Sequence, residues 1–379
     1  MSAHSSSRPQ AQRVIFIDLA RALAALLMVY GHAVSALLAP EYQEGRWYEA
    51  WQFQRGLTSS LFLLLSGFAF SIATARHWAS HLTLSRALVK RIRRFGLFVL
   101  IGYALHLPAP TVAELSAASP ARWSSFLAVD VIQLIGVTFI FVQLLVLVVR
   151  SRAAFAVVSF TLAVAIVFAT PGVWQMPWET YLPAGIAAYL SPAGGSLFPL
   201  FPWTGFVLLG AGFGQLYARW GAADLPRFSH FALLLPGAGL YGAHLMLSSV
   251  ATFGDGPGRF VPGDVTLRWS VCLLILWAIA TGTRHISRLP HVFSAIAQET
   301  LFIYVLHLCL VYGSSWNPGL VQTFGTTMTP VQVLVTVALL LATVIVAAHY
   351  WNHWKHHRPR LARWASIALL MFILIRFLW

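Results

Sequence analysis

Three ionisable residues stand inside one apolar segment near the start of the chain: Asp18, Arg21 and His32, within VIFIDLARALAALLMVYGHAVSALL. Charge placed in hydrocarbon is costly unless it faces a partner, a cavity or a substrate, so residues of this kind point to function. On a helix, the eleven steps from Arg21 to His32 return to within roughly 20° of one direction and climb roughly 16 Å. One helix face therefore carries a permanent cation at one depth and a titratable base at another. A neutral imidazole can take a proton from a hydroxyl or an amine, and the planar fork of arginine suits phosphate. Asp18, three residues before Arg21, is spaced for an ion pair on the same face. Such a pair would also lock helices together, but that leaves His32 unexplained.

Four more polar groups fall at a similar depth: His106 in IGYALHLP, Asp130 in DVIQLIG, His244 in YGAHLML and His307 in TLFIYVLHL. Thr300, Tyr304 and His307 follow an i, i+4, i+7 spacing and form one polar stripe. A carboxylate such as Asp130 would orient an imidazole or stabilise its charged form. Lys90, Arg91, Arg93 and Arg94 crowd the start of another apolar segment. They serve either as topogenic charge or, with Arg21, as a grip for an anionic phosphate-bearing ligand. No residues are spaced as a metal site, and Cys272 and Cys309 both fall in apolar segments as small core residues.

The elements that carry these residues are membrane helices. Of 379 residues, 58% are hydrophobic and only 9% charged, against about 25% charged in soluble domains. The expected fold is an all-α polytopic transmembrane helix bundle of about 10–11 helices. The spans fall near 14–38, 52–74, 88–107, 124–149, 153–170, 198–218, 229–252, 267–283, 291–314, 330–349 and 364–379. Residues 14–379 read as a single integral domain, preceded by a disordered cytoplasmic N-terminus, 1–13. The first span runs too long before any small-residue cleavage site to be a signal peptide, and is expected to be retained. Pro199, Pro202, Gly205, Gly210, Gly212 and Gly214 mark the sixth span as irregular and closely packed.

The net charge of +14 sits in short loops, so it carries orientation and not a nucleic-acid footprint. Alternating the loops puts the clusters around Arg8, Arg13, Arg76, Lys90, Arg150, Arg227, Arg284 and Lys355 on one side. Arg46, Arg55, Arg122, Arg259 and Arg268 fall on the other. The first side, with the N-terminus, is then cytoplasmic. Glu41, Glu44, Glu49, Glu114, Asp130, Glu179, Asp255 and Asp264 lie on or near the outer face. So do Trp47, Trp51, Trp123, Trp174, Trp178 and Trp316, as an interfacial belt or a platform for sugars.

Ile17-Asp18-Leu19-Ala20-Arg21 and Gly31-His32, with ten residues between Arg21 and His32, resemble the opening of the acyltransferase-3 family, which is recognised by an Arg-x10-His pair. Phe62-Leu63-Leu64-Leu65-Ser66-Gly67, Arg91-Ile92-Arg93-Arg94 and Phe302-Ile303-Tyr304-Val305-Leu306-His307 are similar to further elements of that family. Asp130-Val131-Ile132-Gln133-Leu134-Ile135-Gly136-Val137 and Phe198-Pro199-Leu200-Phe201-Pro202-Trp203-Thr204-Gly205 look more like the catalytic domain of heparan-α-glucosaminide N-acetyltransferases and their bacterial relatives. Lysosomal members of that branch carry Asn where this chain has His32, with a histidine in the following loop. Here the loop from Ala39 to Ala50 has none, which turns attention to His32 itself.

The resemblance implies an integral-membrane acyltransferase of a bacterial inner membrane, moving an acyl group, most simply acetyl, from cytoplasmic acyl-CoA to a sugar. The acceptor would be a hydroxyl or amine of an extracytoplasmic or lipid-linked glycan. His32 is the expected base, with Asp130, His106 and His307 in support. Arg21, Asp18, Arg91, Arg94 and Tyr304 form the expected donor site. Acyl-CoA is then a substrate and not a resident cofactor. The implied partners are acyl-CoA, a sugar or glycolipid acceptor and the bilayer, with no nucleic acid; association with a second copy stays open. The rival expectation is a proton-coupled transporter or exporter using the same buried residues.

Overall fold

The computed structural model describes residues 14–250, 253 and 260–379. Arg8, Arg13, Asp255, Arg259 and the segment 1–13 expected to be disordered lie outside the described residues. The chain runs through α1 (Ile15–Leu37), α2 (Arg46–Ala75), α3 (Arg86–Leu105), a short α4 (Pro120–Leu127), α5 (Val131–Val149) and α6 (Arg152–Gln175). The one-turn helices α7 (Trp178–Tyr181) and α8 (Ala184–Ala187) precede α9 (Leu200–Leu216). A π-helical turn at Tyr217–Gly221, the one-turn α10 (Leu225–Phe228) and a second π-helical stretch at Ser229–Leu234 lead into α11 (Leu235–Val250). Then come α12 (Pro262–Gly282), α13 (His291–Gln298), α14 (Thr300–Val311), a short α15 (Leu320–Phe324), α16 (Pro330–His357) and α17 (Pro359–Leu378). The fold is an all-α polytopic bundle, 80% helical and without strands among the described residues.

Eight helical stretches are long and apolar enough to cross a membrane, or nine if α13 and α14, bent by 77° at their junction, form one span. The other two segments expected to span are α3 and α9. α3 is helical over its full length but carries Arg86, Lys90, Arg91, Arg93 and Arg94 in its first half, and α9 has only 17 residues.

Local sequence sets the helix ends. At the start of α5 the Asp130 carboxylate accepts from Val131 N at 2.6 Å, while Gln133 Oε1 accepts from Asp130 N at 3.2 Å. That reciprocal arrangement satisfies backbone donors that a helix start leaves unpaired. Ser85, Ser119 and Ser151 cap α3, α4 and α6 in the same sense. At the bend between α13 and α14, buried Glu299 receives the Lys355 ammonium at 2.8 Å and the Asn352 amide at 2.9 Å, both from α16. Glu299 is buried but the Lys355 side chain is 43% exposed, so this ion pair fixes the course of α14 more than it adds stability.

α1 is the centre of the packing. Its Phe16, Ile17, Ala20, Ala24 and Met28 belong to a core cluster shared with α2, α5, α9 and α12. Its Ala22, Ala25, Val29, Ala33 and Leu37 belong to a second cluster, shared with α13, α14 and α16. Lipid gives no hydrophobic drive for helix association, so close approach over small side chains supplies the attraction. The same logic governs α2 and α9, which make the most extensive helix pair. A Cβ at Gly67 would run into the Val207 carbonyl, and one at Gly210 into the Leu64 carbonyl. A Cβ at Gly214 would lie 2.6 Å from the Phe68 oxygen. Of the glycines expected to pack the sixth span closely, Gly205, Gly210 and Gly214 thus meet backbone, whereas Gly212 meets the Phe160 ring.

Gly210→Val is expected to cost stability at the upper end of the about 1–3 kcal/mol typical of overpacking, because the obstacle is backbone. Gly96→Ala, which meets nothing within 4 Å, should leave melting in detergent unchanged or raised. Fluorescence-detected size-exclusion after heating reads both; an unchanged melting point for Gly210→Val would contradict the close crossing.

Candidate functional site

Two half-open cavities flank the middle of α1. The larger, of about 1030 Å³, is lined by Met28, Gly31 and His32 of α1, together with Arg55, His106, Asp130, Arg268 and Tyr312. The smaller, of about 580 Å³, is lined by Arg21 together with His81, Lys90, Arg91, Arg94, Thr300 and Tyr304. α1 and α14 each line the smaller cavity with their early residues and the larger with their later ones. Between the cavities the Tyr304 hydroxyl donates to Asp130 Oδ2 at 2.9 Å. That bond ties α14 to the capped start of α5 and forms part of the partition.

On the larger-cavity side of this partition stands a histidine pair. The His32 ring lies 5.1 Å from that of His307 and 5.6 Å from that of Tyr312, edge-on to each. The Tyr312 hydroxyl reaches the His32 backbone carbonyl at 3.5 Å, a weak contact. His307 is fully buried and its Nδ1 lies 2.8 Å from the Ile303 carbonyl oxygen. A carbonyl only accepts, so Nδ1 carries the proton and, in the neutral ring, Nε2 keeps its lone pair. That Nε2 and His32 Nδ1 are both buried without a hydrogen-bond partner among the described residues. An unsatisfied buried polar atom costs about 1–3 kcal/mol. A histidine that only packs gains nothing from that cost, whereas a proton acceptor needs its lone pair uncommitted.

The smaller cavity has a basic lining, with Arg21, Lys90, Arg91 and Arg94 and no carboxylate among its lining residues. Arg21 Nη2 donates to Thr300 Oγ1 at 3.2 Å, which holds the guanidinium across from α1 to α14. Asp18, one turn earlier, is close enough to attract the Arg21 charge. The Arg91 guanidinium sits 4.1 Å from the Phe70 ring centroid and donates to the Phe70 carbonyl and to His81 Nε2, both at 3.2 Å. Stacking and two hydrogen bonds aim its fork. Burial, with the Arg91 and His77 charges, pushes the His81 imidazole below its usual range.

The structure brings most of the expected site residues together. His32, His307, Tyr304 and Asp130 form one cluster, and Arg21, Arg91, Arg94 and Tyr304 line one cavity. His106 lines the larger cavity from the end of α3, its Nδ1 against the Gly102 carbonyl at 3.0 Å. Asp18 is not among the lining residues of the smaller cavity and acts there through Arg21. His244 lines neither cavity; it faces the Gly263 carbonyl at 2.8 Å and joins α11 to α12. Trp174 donates to the Phe201 backbone and joins α6 to α9, Trp316 donates to the Pro110 backbone and ties two loops, and Trp47 is 90% exposed. Sequence reasoning missed Arg55, Arg268, Tyr312 and His81. The two arginines were detectable by the test applied to Arg21, an ionisable residue at the edge of an apolar run, but were counted only as loop charge.

The described residues thus form a polytopic helix bundle in which an arginine-lined cavity and a histidine-lined cavity flank one helix. The family described as heparan-alpha-glucosaminide N-acetyltransferase, catalytic, matches residues 13–244, and the chain belongs to it. The match covers His32, Arg21, Arg91, Arg94 and Asp130, whereas Tyr304, His307 and Arg268 lie beyond it. No curated protein matches the chain.

Because the His81 imidazole titrates below its ordinary value of 6.5, the unfolded chain binds that proton first. The contribution of His81 to stability is then present above pH 6.5 and is lost as the pH falls below it. Melting points taken from pH 7.5 to 5.5 should therefore fall less steeply for His81→Gln than for the unaltered protein; equal slopes would contradict the shift.

Proposed function

We propose that the protein is an integral-membrane acyltransferase, residues 14–379 acting as one domain. An acyl-CoA donor would occupy the Arg21 cavity, and a sugar hydroxyl or amine the His32 cavity. The observation that carries this proposal is the placement of three arginines in one cavity and the unsatisfied histidine pair beside the other, with only the Asp130–Tyr304 contact and its neighbours between. Membership of an acetyltransferase family supports the reaction class, and acetyl is the simplest acyl group. The likeness of Arg21-x10-His32, Arg91 to Arg94 and Phe302 to His307 to acyltransferase-3 elements supports the same division of labour.

In this mechanism Arg21, Arg91 and Arg94 neutralise the donor phosphates, while the extended thiol arm of the donor runs along α1 towards His32. His32 takes the proton of the acceptor hydroxyl or amine as that atom attacks the thioester carbonyl carbon. The new C–O or C–N bond forms and the C–S bond breaks. CoA leaves as the thiolate and regains the proton from the imidazolium. His307, its Nδ1 proton committed to Ile303, faces the His32 ring with a lone pair available to share that positive charge. Asp130 and Tyr304 hold the boundary at which the two substrates meet.

The asymmetry of basic loops supports an N-terminus on the cytoplasmic side, which opens the Arg21 cavity to cytoplasmic acyl-CoA and the His32 cavity to an extracytoplasmic or lipid-linked glycan. Resemblance to bacterial relatives supports an inner membrane as the location. Transport through the same polar path receives no comparable support.

His32→Ala should lower acetyl transfer by about 100-fold or more, the usual worth of a positioned base, with acetyl-CoA affinity and size-exclusion profile unchanged. Thiol release from acetyl-CoA in the presence of a panel of amino and neutral oligosaccharides measures it. Turnover within twofold of the unaltered protein would remove His32 from the chemistry.

A further inference from the structure

Two arginines of the larger cavity have no place in the transfer just described. We propose that Arg55 of α2 and Arg268 of α12 clamp an oxyanion on the acceptor, so that the cavity selects an acidic acceptor over a neutral one. This proposal rests on the reading of the His32 cavity as the acceptor site.

Both side chains line that cavity and both are seated by glycines. A Cβ at Gly56 would stand 2.5 Å from Arg268 Nη1 and 2.9 Å from Nη2, so a side chain there would displace the guanidinium from its present position. A Cβ at Gly31 would touch the Arg55 stem at 3.4 Å. Gly31 directly precedes His32, which puts the Arg55 charge beside the proposed base. The other charged groups of the cavity are committed. Asp130 accepts from Val131 N and Tyr304, Glu114 accepts from Thr111, and Arg122 donates to the Pro108 carbonyl.

Arg55 and Arg268 make no hydrogen bond or ion pair with any described residue. Arg55 lies 5.8 Å from the Trp51 ring centroid. Asp264, one turn before Arg268, attracts its charge but forms no salt bridge with it and does not line the cavity. With three arginines against two carboxylates, the lining carries a positive excess. Two guanidinium forks on facing helices suit a flat or tetrahedral oxyanion, which accepts paired hydrogen bonds from each. The donor phosphates are served by the other cavity, beyond the partition. The oxyanion is the carboxylate of an acidic sugar or the phosphate of a lipid-linked one.

The test uses the full-length protein in nanodiscs of neutral lipid. Binding is measured for two matched pairs: glucosaminyl-glucuronic acid against glucosaminyl-glucose, and farnesyl phosphate against farnesol. Acetyl-CoA affinity is measured in parallel for the unaltered protein and for Arg55→Gln, Arg268→Gln and Arg268→Lys. We expect at least one anionic probe to bind more tightly than its neutral twin, and the preferred one identifies the source of the charge. Each glutamine variant should weaken that probe by about 10-fold to 100-fold, the worth of charged hydrogen bonds, and leave the neutral twin and acetyl-CoA unaffected. Arg268→Lys, which keeps charge but loses the fork, should fall between. Failure of both anionic probes to bind overturns the clamp, as do neutral twins that bind equally well. Loss of acetyl-CoA in step with the anion also overturns it, since the arginines would then serve the donor. If anions bind as expected but the unaltered protein takes no acetyl-CoA, the transferase reading fails and the oxyanion site stands.

Discussion

Everything in this molecule follows from the cost of keeping charge away from lipid. An arginine or aspartate at the centre of a membrane helix costs about 2.5–3.5 kcal/mol even by the mildest scale, and α1 carries one of each and a histidine besides. The helix can hold them only if other helices wall it off from hydrocarbon, and that is the arrangement observed. Two core clusters meet on α1, its alanine faces letting α2 and α12 close on one side and α13, α14 and α16 on the other. Arg21 and His32 then look along the two cavities and not outward, with Asp18 beside Arg21. The glycine crossing of α2 with α9 serves the same wall, since it sets where α2 can stand.

The partition between the cavities is thin because three helix features converge on it. The capped start of α5 delivers Asp130, α14 delivers Tyr304, and the bend at Glu299, fastened to α16, sets the direction from which α14 arrives. Each is a local solution to an unsatisfied backbone or a buried charge. Together they place a hydrogen bond where α1 passes from Arg21 to His32.

Much of this was legible in the residues. Apolar length located the eight helical stretches long and apolar enough to cross a membrane, because in hydrocarbon a backbone must satisfy itself within the helix. The spacing of Arg21 and His32 foretold two depths, and the Thr300, Tyr304, His307 stripe foretold one face of α14. Depth alone was a poor guide to neighbours. His244 shares the expected depth of His32 yet belongs to the α11–α12 contact, because hydropathy says how far along a helix a residue lies and nothing about which helix it faces. Arg55 and Arg268 were hidden for a related reason. Each stands near a span end, where a loop charge and a cavity charge look alike in sequence. Only the glycines opposite them, Gly31 and Gly56, distinguish the two, and that pairing crosses helices.

The narrowness of the Asp130–Tyr304 partition has an electrical meaning. Where two polar cavities enter a membrane from opposite sides, the resistance to the field lies in the low-dielectric waist between them, and the transmembrane potential drops mostly there. A full elementary charge crossing the whole drop exchanges about 2.3 kcal/mol per 100 mV. In the proposed orientation, with the His32 cavity open to one side and the Arg21 cavity to the other, a proton or thiolate that shifts a few ångströms at this waist would move through much of the voltage. Under that reading the energised state of the membrane would enter the balance of the reaction at the hydrogen bond that joins two helices.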